Sequence, residues 1–407
     1  MKKIAMLTAT FPHGDGEQFI ESEVKYWSNS SEFELTIFPS LSKNENSRNV
    51  PNSIYINNAL TVKKSIFSKL RAICKALFSI VFLKEIGYLI RENKLQFTAL
   101  KQALIELAAA NHFADVLEPH FKKNNTKIIY SYWNNPQSYG AILLKRRGVV
   151  DKVVSRCHGY DVYVDRRELE YMPLKWQFIN EFNTLFVICS SQINYFQEYY
   201  NASKNQISLS RLGVEIPKNS SLTSPNNFLH ILSVSYCVAV KRIDFIIEVL
   251  AVFYKLNPSI NIRWTHIGDG LLKTKLEEHA QNKLKGINYS FLGQLSNVEV
   301  QEYYQNNCVD LFINTSESEG VPVSIMEAMS YGVPVIAPDV GGVSELLCPE
   351  SCYLVKDINV LRGFINGVSE LHINCKLTIN RRLCMNKINK TYNREKNYSQ
   401  FIRIVSD

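Results

Sequence analysis

Two carboxylates eight positions apart, Glu319 and Glu327, carry the chemistry most legible in this chain. Around them an apolar run ending in hydroxyls (309–315), a polar loop (316–320), a helical stretch between Pro322 and Gly332, and a second apolar run (333–338) follow without conflict. That order predicts one strand, helix and strand of a parallel sheet. Buried strands read as short apolar runs, Pro suits the first turn of a helix, and Gly suits the residue past its end. Glu319 then lies at the carboxyl end of a strand, where open α/β sheets take ligands, and Glu327 a turn or more into the helix, so the two can face one cleft. The helix start offers unpaired N–H groups and about half a positive charge to an anion such as a phosphate. The amides of Val321, Val323 and Ser324 are the available donors. Taken singly, each carboxylate also has a plainer reading: Glu319 as a complement to the helix dipole, Glu327 as a solvated face residue.

Other residues fit the same chemistry. Lys241 follows the strand at 230–235 and is placed to meet a diphosphate, and the neighbouring Arg242 has a planar fork that binds phosphate well. Surface charge is the alternative for both. Near the amino terminus a strand at 4–8 runs into Gly14-Asp15-Gly16, a loop that can bring backbone close to a phosphate or sugar, which makes Gly16 a binding candidate. His158 follows the strand at 153–157 in His158-Gly159-Tyr160-Asp161; a lone histidine there is more often structural than catalytic. No Asp-x-Asp occurs, so no metal ligand is expected. Cys348-x3-Cys352 has no second pair at ligand spacing, and Gly268-Asp269-Gly270 lacks the third glycine of a dinucleotide fingerprint.

The run E-G-V-P-V-S-I-M-E-A-M, followed by Gly332-Val333-Pro334-Val335-Ile336 and Gly341-Gly342-x-x-Glu345, resembles the signature of retaining glycosyltransferases of the family 4 type. The resemblance implies an α/β, GT-B architecture of two doubly wound parallel-sheet domains facing across a cleft. It implies that Glu319 contacts the sugar of a nucleoside diphosphate donor, UDP- or GDP-linked, and that Glu327 contacts its ribose. His158 would approach the donor sugar from the amino-terminal domain. Lys241 would meet the diphosphate, although Tyr236 stands where the family usually carries Arg. The implied reaction is hexosyl transfer with retention to a hydroxyl of a glycan or lipid-linked acceptor, in bacterial surface polysaccharide or lipopolysaccharide synthesis. No cofactor is implied, the nucleotide-sugar being a substrate. Two other readings stay open: a nucleotide-sugar epimerase of the same fold, and a non-catalytic nucleotide or polysaccharide binding module, which Tyr236 keeps in view.

Elements to position these residues need two cores. At 407 residues with 46% apolar content, two domains are expected, separated by a Pro-bracketed polar linker at 217–227. The resemblance implies that 1–216 is the acceptor-side domain, 228–388 the nucleotide-sugar domain, and 389–407 a terminal helix that crosses back to the first. A net charge of +8 favours anionic partners. Nucleic acid is not among those expected, because the basic residues gather in one helical stretch without aromatic or Gly-rich binding modules. That stretch, 61–110, interleaves Lys63, Lys64, Lys69, Arg71, Lys75 and Lys84 with an apolar stripe. A basic amphipathic helix on an anionic membrane surface and an ordinary helix packed on the sheet both fit. Nine scattered cysteines point to a reduced cytoplasm, and the short apolar run after Lys2-Lys3 reads as a strand rather than a signal peptide.

Overall fold

Short apolar runs become parallel strands whose alternate residues enter cores on opposite faces of a sheet. The computed structural model describes residues 1–406 apart from 15–16, 30–31, 42–47, 63–64 and 168. The chain divides into two compact units, Met1–Ser210 with Tyr398–Asp407, and Arg211–Asn397.

In the first unit the strands are β1 (Lys2–Thr8), β2 (Phe33–Pro39), β3 (Tyr55–Ile56), β4 (Ile128–Ser131), β5 (Lys152–Cys157), β6 (Thr184–Val187) and β7 (Ile207–Leu209). They pair in parallel in the order β3-β2-β1-β4-β5-β6-β7. Ile4 and Met6 face one core with Tyr130, Val154 and Phe186, while Ala5 and Leu7 face the other with Ile129, Val153 and Leu185. The terminal helix Arg394–Ser406 begins in the second unit and ends in the first, where Phe401 packs edge-on against Tyr130 at 5.0 Å between ring centres. Beneath it lies a fully buried ion pair, Glu23 with Arg156, the guanidinium lying 3.9 Å from the Phe401 ring centre.

The second unit has β8 (Phe228–Val234), β9 (Asn261–Ile267), β10 (Asn288–Phe291), β11 (Leu311–Ile313), β12 (Val335–Pro338) and β13 (Tyr353–Val355). These are also parallel, in the order β10-β9-β8-β11-β12-β13. Each sheet therefore reverses its strand order once, between β1 and β4 in the first unit and between β8 and β11 in the second. At such a reversal the loops leaving the two strands diverge and open a crevice beyond their carboxyl ends.

Two details differ from the sequence reading. The tract 217–227, expected as a linker, is folded onto the second unit. The amide of Ser224 donates to the Asp310 carboxylate at 3.0 Å, the amide of Ser221 donates to the Tyr331 carbonyl at 2.9 Å, and both serines are buried. A buried carboxylate must be surrounded by donors, and the polar tract supplies them. The stretch 61–110, read as one helix, contains the helices Ile66–Leu77 and Ile80–Arg91 and the start of the 28-residue helix Phe97–Asn124. Ser65 and Ser79 split it by accepting from the amides of Ser68 and Phe82, each at 3.1 Å, as N-caps do. Lys63 and Lys64 lie outside the described residues. Among the described residues no helix is long and apolar enough to cross a membrane.

Candidate active site

The crevice between β8 and β11 is bordered by residues 235–242 and 314–322, the loops that carry Lys241 and Glu319. These loops are bonded to each other. The Glu317 amide donates to the Val240 carbonyl at 2.9 Å, and the Thr315 hydroxyl donates to the carbonyls of Lys241 and Arg242 at 3.1 and 2.8 Å. The result is a short, charge-assisted contact at the crevice: Lys241 Nζ donates to Glu319 Oε1 at 2.6 Å. Asn314 Nδ2 approaches the same oxygen at 3.3 Å and fixes the carboxylate from the strand side. Lys241 keeps part of its surface open to solvent whereas Glu319 is buried.

Arg242, expected beside Lys241 at a diphosphate, is engaged elsewhere. It closes the turn Ala239–Lys241 in the left-handed region at φ 51°, donates from Nη1 to the Ile358 carbonyl at 2.7 Å, and lies 4.2 Å from the Phe245 ring centre. Its Nε lies 3.9 Å from Glu317 Oε1 in the carboxylate loop, and of this pair it is Lys241 that bonds Glu319. Tyr236 is about half exposed on the same loop.

Pro322 occupies the cap position of the helix Val323–Ser330 rather than its first turn. The first intrahelical bond runs from the Met326 amide to the Pro322 carbonyl at 3.3 Å. Among the described residues the amides of Val321, Val323 and Ser324 have no backbone or side-chain acceptor, which leaves them as donors for an incoming anion. The β12 loop closes over this turn. The Gly342 amide donates to the Gly320 carbonyl at 2.7 Å, and Gly341, at φ +58°, lies so close that a Cβ there would stand 2.1 Å from the Glu319 carbonyl oxygen.

Glu327, one turn into that helix, is buried and accepts from Asn297 Nδ2 at 2.5 Å. Burial pushes its carboxyl up to about 7, against the opposing effect of the Asn297 bond. The folded state thus holds this proton more tightly than the unfolded chain, so stability falls as pH rises from the ordinary carboxylate range through about 7. Glu327→Gln, which cannot ionise, is expected to unfold like the wild type near pH 5 and to be more stable by up to about 3 kcal/mol above pH 8. Denaturant titrations at the two pH values test this; an equal difference at both would show that the carboxyl is not held protonated.

In the first unit the corresponding crevice, between β1 and β4, is built around a carboxylate that sequence reasoning missed. Glu17 accepts from the amides of Ala9, Thr10 and Phe11 at 3.0, 2.7 and 2.7 Å and from Trp133 Nε1 at 2.5 Å, so it ties the β1 loop to the β4 loop. Gly16, singled out in that loop, lies outside the described residues. His158 follows β5, and its ring packs among Tyr132, Trp133 and Phe19 at 4.8, 4.5 and 6.0 Å between centres. Among the described residues neither ring nitrogen has a hydrogen-bond partner, and burial pulls the imidazole down to about 4, so it is neutral near pH 7. Its backbone is fixed by Asp161, whose carboxylate accepts from the amides of His158, Gly159 and Asn134. Beside these loops opens a cavity of about 420 Å³, lined among others by Glu106, Tyr160, Arg166, Arg167, Tyr171 and Lys175. Asp161 stands in the motif His158-Gly159-Tyr160-Asp161; nothing in the sequence spacing marks Glu17, Trp133 or Asn314. Among the described residues no cluster of His, Cys, Asp or Glu offers a metal site.

Two doubly wound parallel units with their functional loops at the strand-order reversals define the GT-B architecture. Solved structures share it. The lipopolysaccharide outer core galactosyltransferase WaaB, in its apo form, aligns with a TM-score of 0.71 at 16% identity over 99% of both chains. Anabaena Alr3699/HepE, in complex with UDP and glucose, aligns with a TM-score of 0.69 at 14% identity over 100% of both chains. Within this fold, residues 217–368 match the family described as Glycosyl transferases group 1, so the second unit carries a glycosyltransferase domain. The N-acetyl-alpha-D-glucosaminyl L-malate synthase of Bacillus anthracis is 24% identical over 268 residues. That match covers 62% of this chain and 66% of the relative, just under two thirds of the relative's own length.

Proposed function

We propose that this chain transfers a hexosyl group from a nucleoside diphosphate sugar to a hydroxyl of a glycan or lipid-linked acceptor, with retention at the anomeric carbon, as the family 4 signature implies. The observation that carries the reading is the Lys241–Glu319 pair, held 2.6 Å apart at the strand-order reversal beside unbonded amides of a helix start. An ammonium and aligned N–H groups suit the further negative charge that develops on a departing diphosphate as the sugar C–O bond breaks, and because they are already oriented they need no reorganisation during reaction. Glu319, paired with Lys241 when the site is empty, would turn its acceptor oxygens to the hydroxyls of the donor sugar. Glu327 would take the ribose hydroxyls. His158, neutral and enclosed by aromatic rings, is suited to orienting a sugar by hydrogen bonds and packing rather than to removing protons. With no carboxylate assigned as nucleophile, the departing phosphate takes the acceptor's proton in front-face attack.

The acceptor is assigned to the first unit, whose 420 Å³ cavity mixes cationic, phenolic and carboxyl groups of the kind that bind a polyhydroxyl or phosphorylated ligand. The UDP bound in the Anabaena structure supports trying UDP-sugars first. WaaB is a lipopolysaccharide outer core galactosyltransferase, which supports an acceptor in surface polysaccharide synthesis.

Screening purified protein against a panel of UDP- and GDP-sugars, with and without added acceptors, tests the reading. Slow donor hydrolysis and faster acceptor-dependent transfer are expected. Isomerisation without an acceptor would favour the epimerase, and absence of any turnover with retained nucleotide binding would favour the binding module. The same assay is expected to proceed in EDTA, because the chain has no Asp-x-Asp to hold a cation and Lys241 with the helix amides supplies the positive charge. Complete loss restored by Mg²⁺ or Mn²⁺ would overturn metal independence.

A further inference from the structure

An amphipathic helix of a globular unit ordinarily turns its apolar stripe inward. The helices Ile66–Leu77 and Ile80–Arg91 do otherwise. Phe67 and Phe78 are 78% and 88% exposed, Ile80 and Leu83 are 71% and 62% exposed, and Ile66, Leu70 and Ile90 are also exposed. These residues are not waiting for a place in the unit's own core. The inward side of the helix pair is already filled by Ala76, Phe82 and Leu89, with Ile73, Val81 and Ile86 packed against them.

Charge on this segment is of one sign. Lys69, Arg71, Lys75, Lys84 and Arg91 lie on the two helices, and their one acidic residue, Glu85, is buried. Its carboxylate accepts from the Tyr171 hydroxyl at 2.6 Å, the Leu174 amide at 2.8 Å and Trp176 Nε1 at 2.9 Å. Lys75 pairs with Asp115 and Arg91 with Glu92; Lys69, Arg71 and Lys84 have no ion-pair partner among the described residues. A second copy of the chain docking here by two-fold symmetry would set these cations against one another. Exposed aromatic and aliphatic side chains among unpaired cations instead match a surface that offers hydrocarbon and negative charge together. Neither helix is long enough to span a bilayer, so the fit is to its surface.

We propose that this helix pair docks on an anionic phospholipid membrane, with Phe67, Leu70, Phe78, Ile80 and Leu83 entering the acyl boundary and Lys69, Arg71 and Lys84 meeting the headgroups. None of these exposed residues is among those assigned to catalysis or to the lining of the 420 Å³ cavity, so membrane binding and turnover can fail separately. Vesicle flotation of the full chain is the test. The protein is expected to float with vesicles of phosphatidylcholine containing roughly one third phosphatidylglycerol and to stay behind with phosphatidylcholine alone. Binding is expected at about 0.1 M salt and to be largely lost at about 0.5 M, where surface charges are screened. Changing Lys69, Arg71 and Lys84 together to Ser is expected to weaken partitioning by about 100-fold at low salt. The triple change Phe67→Ser, Phe78→Ser and Leu83→Ser is expected to abolish it. Because all six positions are exposed, both variants are expected to keep the wild-type melting temperature and the same donor hydrolysis. Flotation that neither triple variant alters would overturn the proposal. So would absence of vesicle binding together with a dimer, seen by light scattering, that the apolar variant dissolves.

Discussion

Glu319→Ala is expected to lower kcat by about 10²-fold or more, the loss seen when one preorganised electrostatic partner of a transition state is removed. Lys241→Ala is expected to fall similarly, because its ammonium is bonded to Glu319 at 2.6 Å. Two groups in direct contact do not act independently, so the double variant should lose far less than the product of the two single losses. Glu327→Ala should behave differently. The ribose is remote from the bond being broken, so losing its contact weakens ground state and transition state alike and mainly raises the donor KM. Steady-state kinetics beside calorimetric nucleotide affinity for each single variant decides the matter. Should Glu319→Ala weaken nucleotide binding while Glu327→Ala binds normally and cannot turn over, the two roles are reversed.

Gly341→Ala is expected to damage the same site without touching a side chain in it. At φ +58° an alanine is strained by about 1 kcal/mol or more, and its Cβ would stand 2.1 Å from the Glu319 carbonyl oxygen and 2.8 Å from that of Gly320. Both neighbours are backbone, so the loop carrying Glu319 must move. A displacement on the order of 1 Å at a positioning loop costs about 10²-fold in rate. Gly286→Ala is the control. It is also at positive φ, +90°, but its Cβ would meet the Tyr254 ring, before β10 and away from the carboxyl-end loops. It should lower stability and leave kcat intact. Equal kcat losses in the two variants would mean that general destabilisation, not loop position, is responsible.

The sequence by itself determined the strands and the site's principal loop. Parallel strands buried on both faces leave continuous apolar runs, as at 309–313 and 333–338, and a helix with Pro at its start and Gly at its end is marked by residue type alone. The carboxylates Glu319 and Glu327 were legible because their spacing is local. What only tertiary structure decided was partnership between segments far apart in the chain. Lys241 and Glu319 are 78 residues apart, and nothing in either segment states that they meet. Trp133 and Glu17 are 116 residues apart. These pairs form because strand order brings β8 beside β11 and β1 beside β4, an outcome of which crossover packs each helix onto its sheet. Arg242 shows the converse. Its type and position suited phosphate, yet a left-handed backbone at the end of a tight turn aims it at Ile358 and Phe245. The basic stretch at 61–110 likewise announced an amphipathic pattern, but which face is covered depends on how the helices pack on Phe97–Asn124, and that packing leaves Phe67 and Phe78 in solvent.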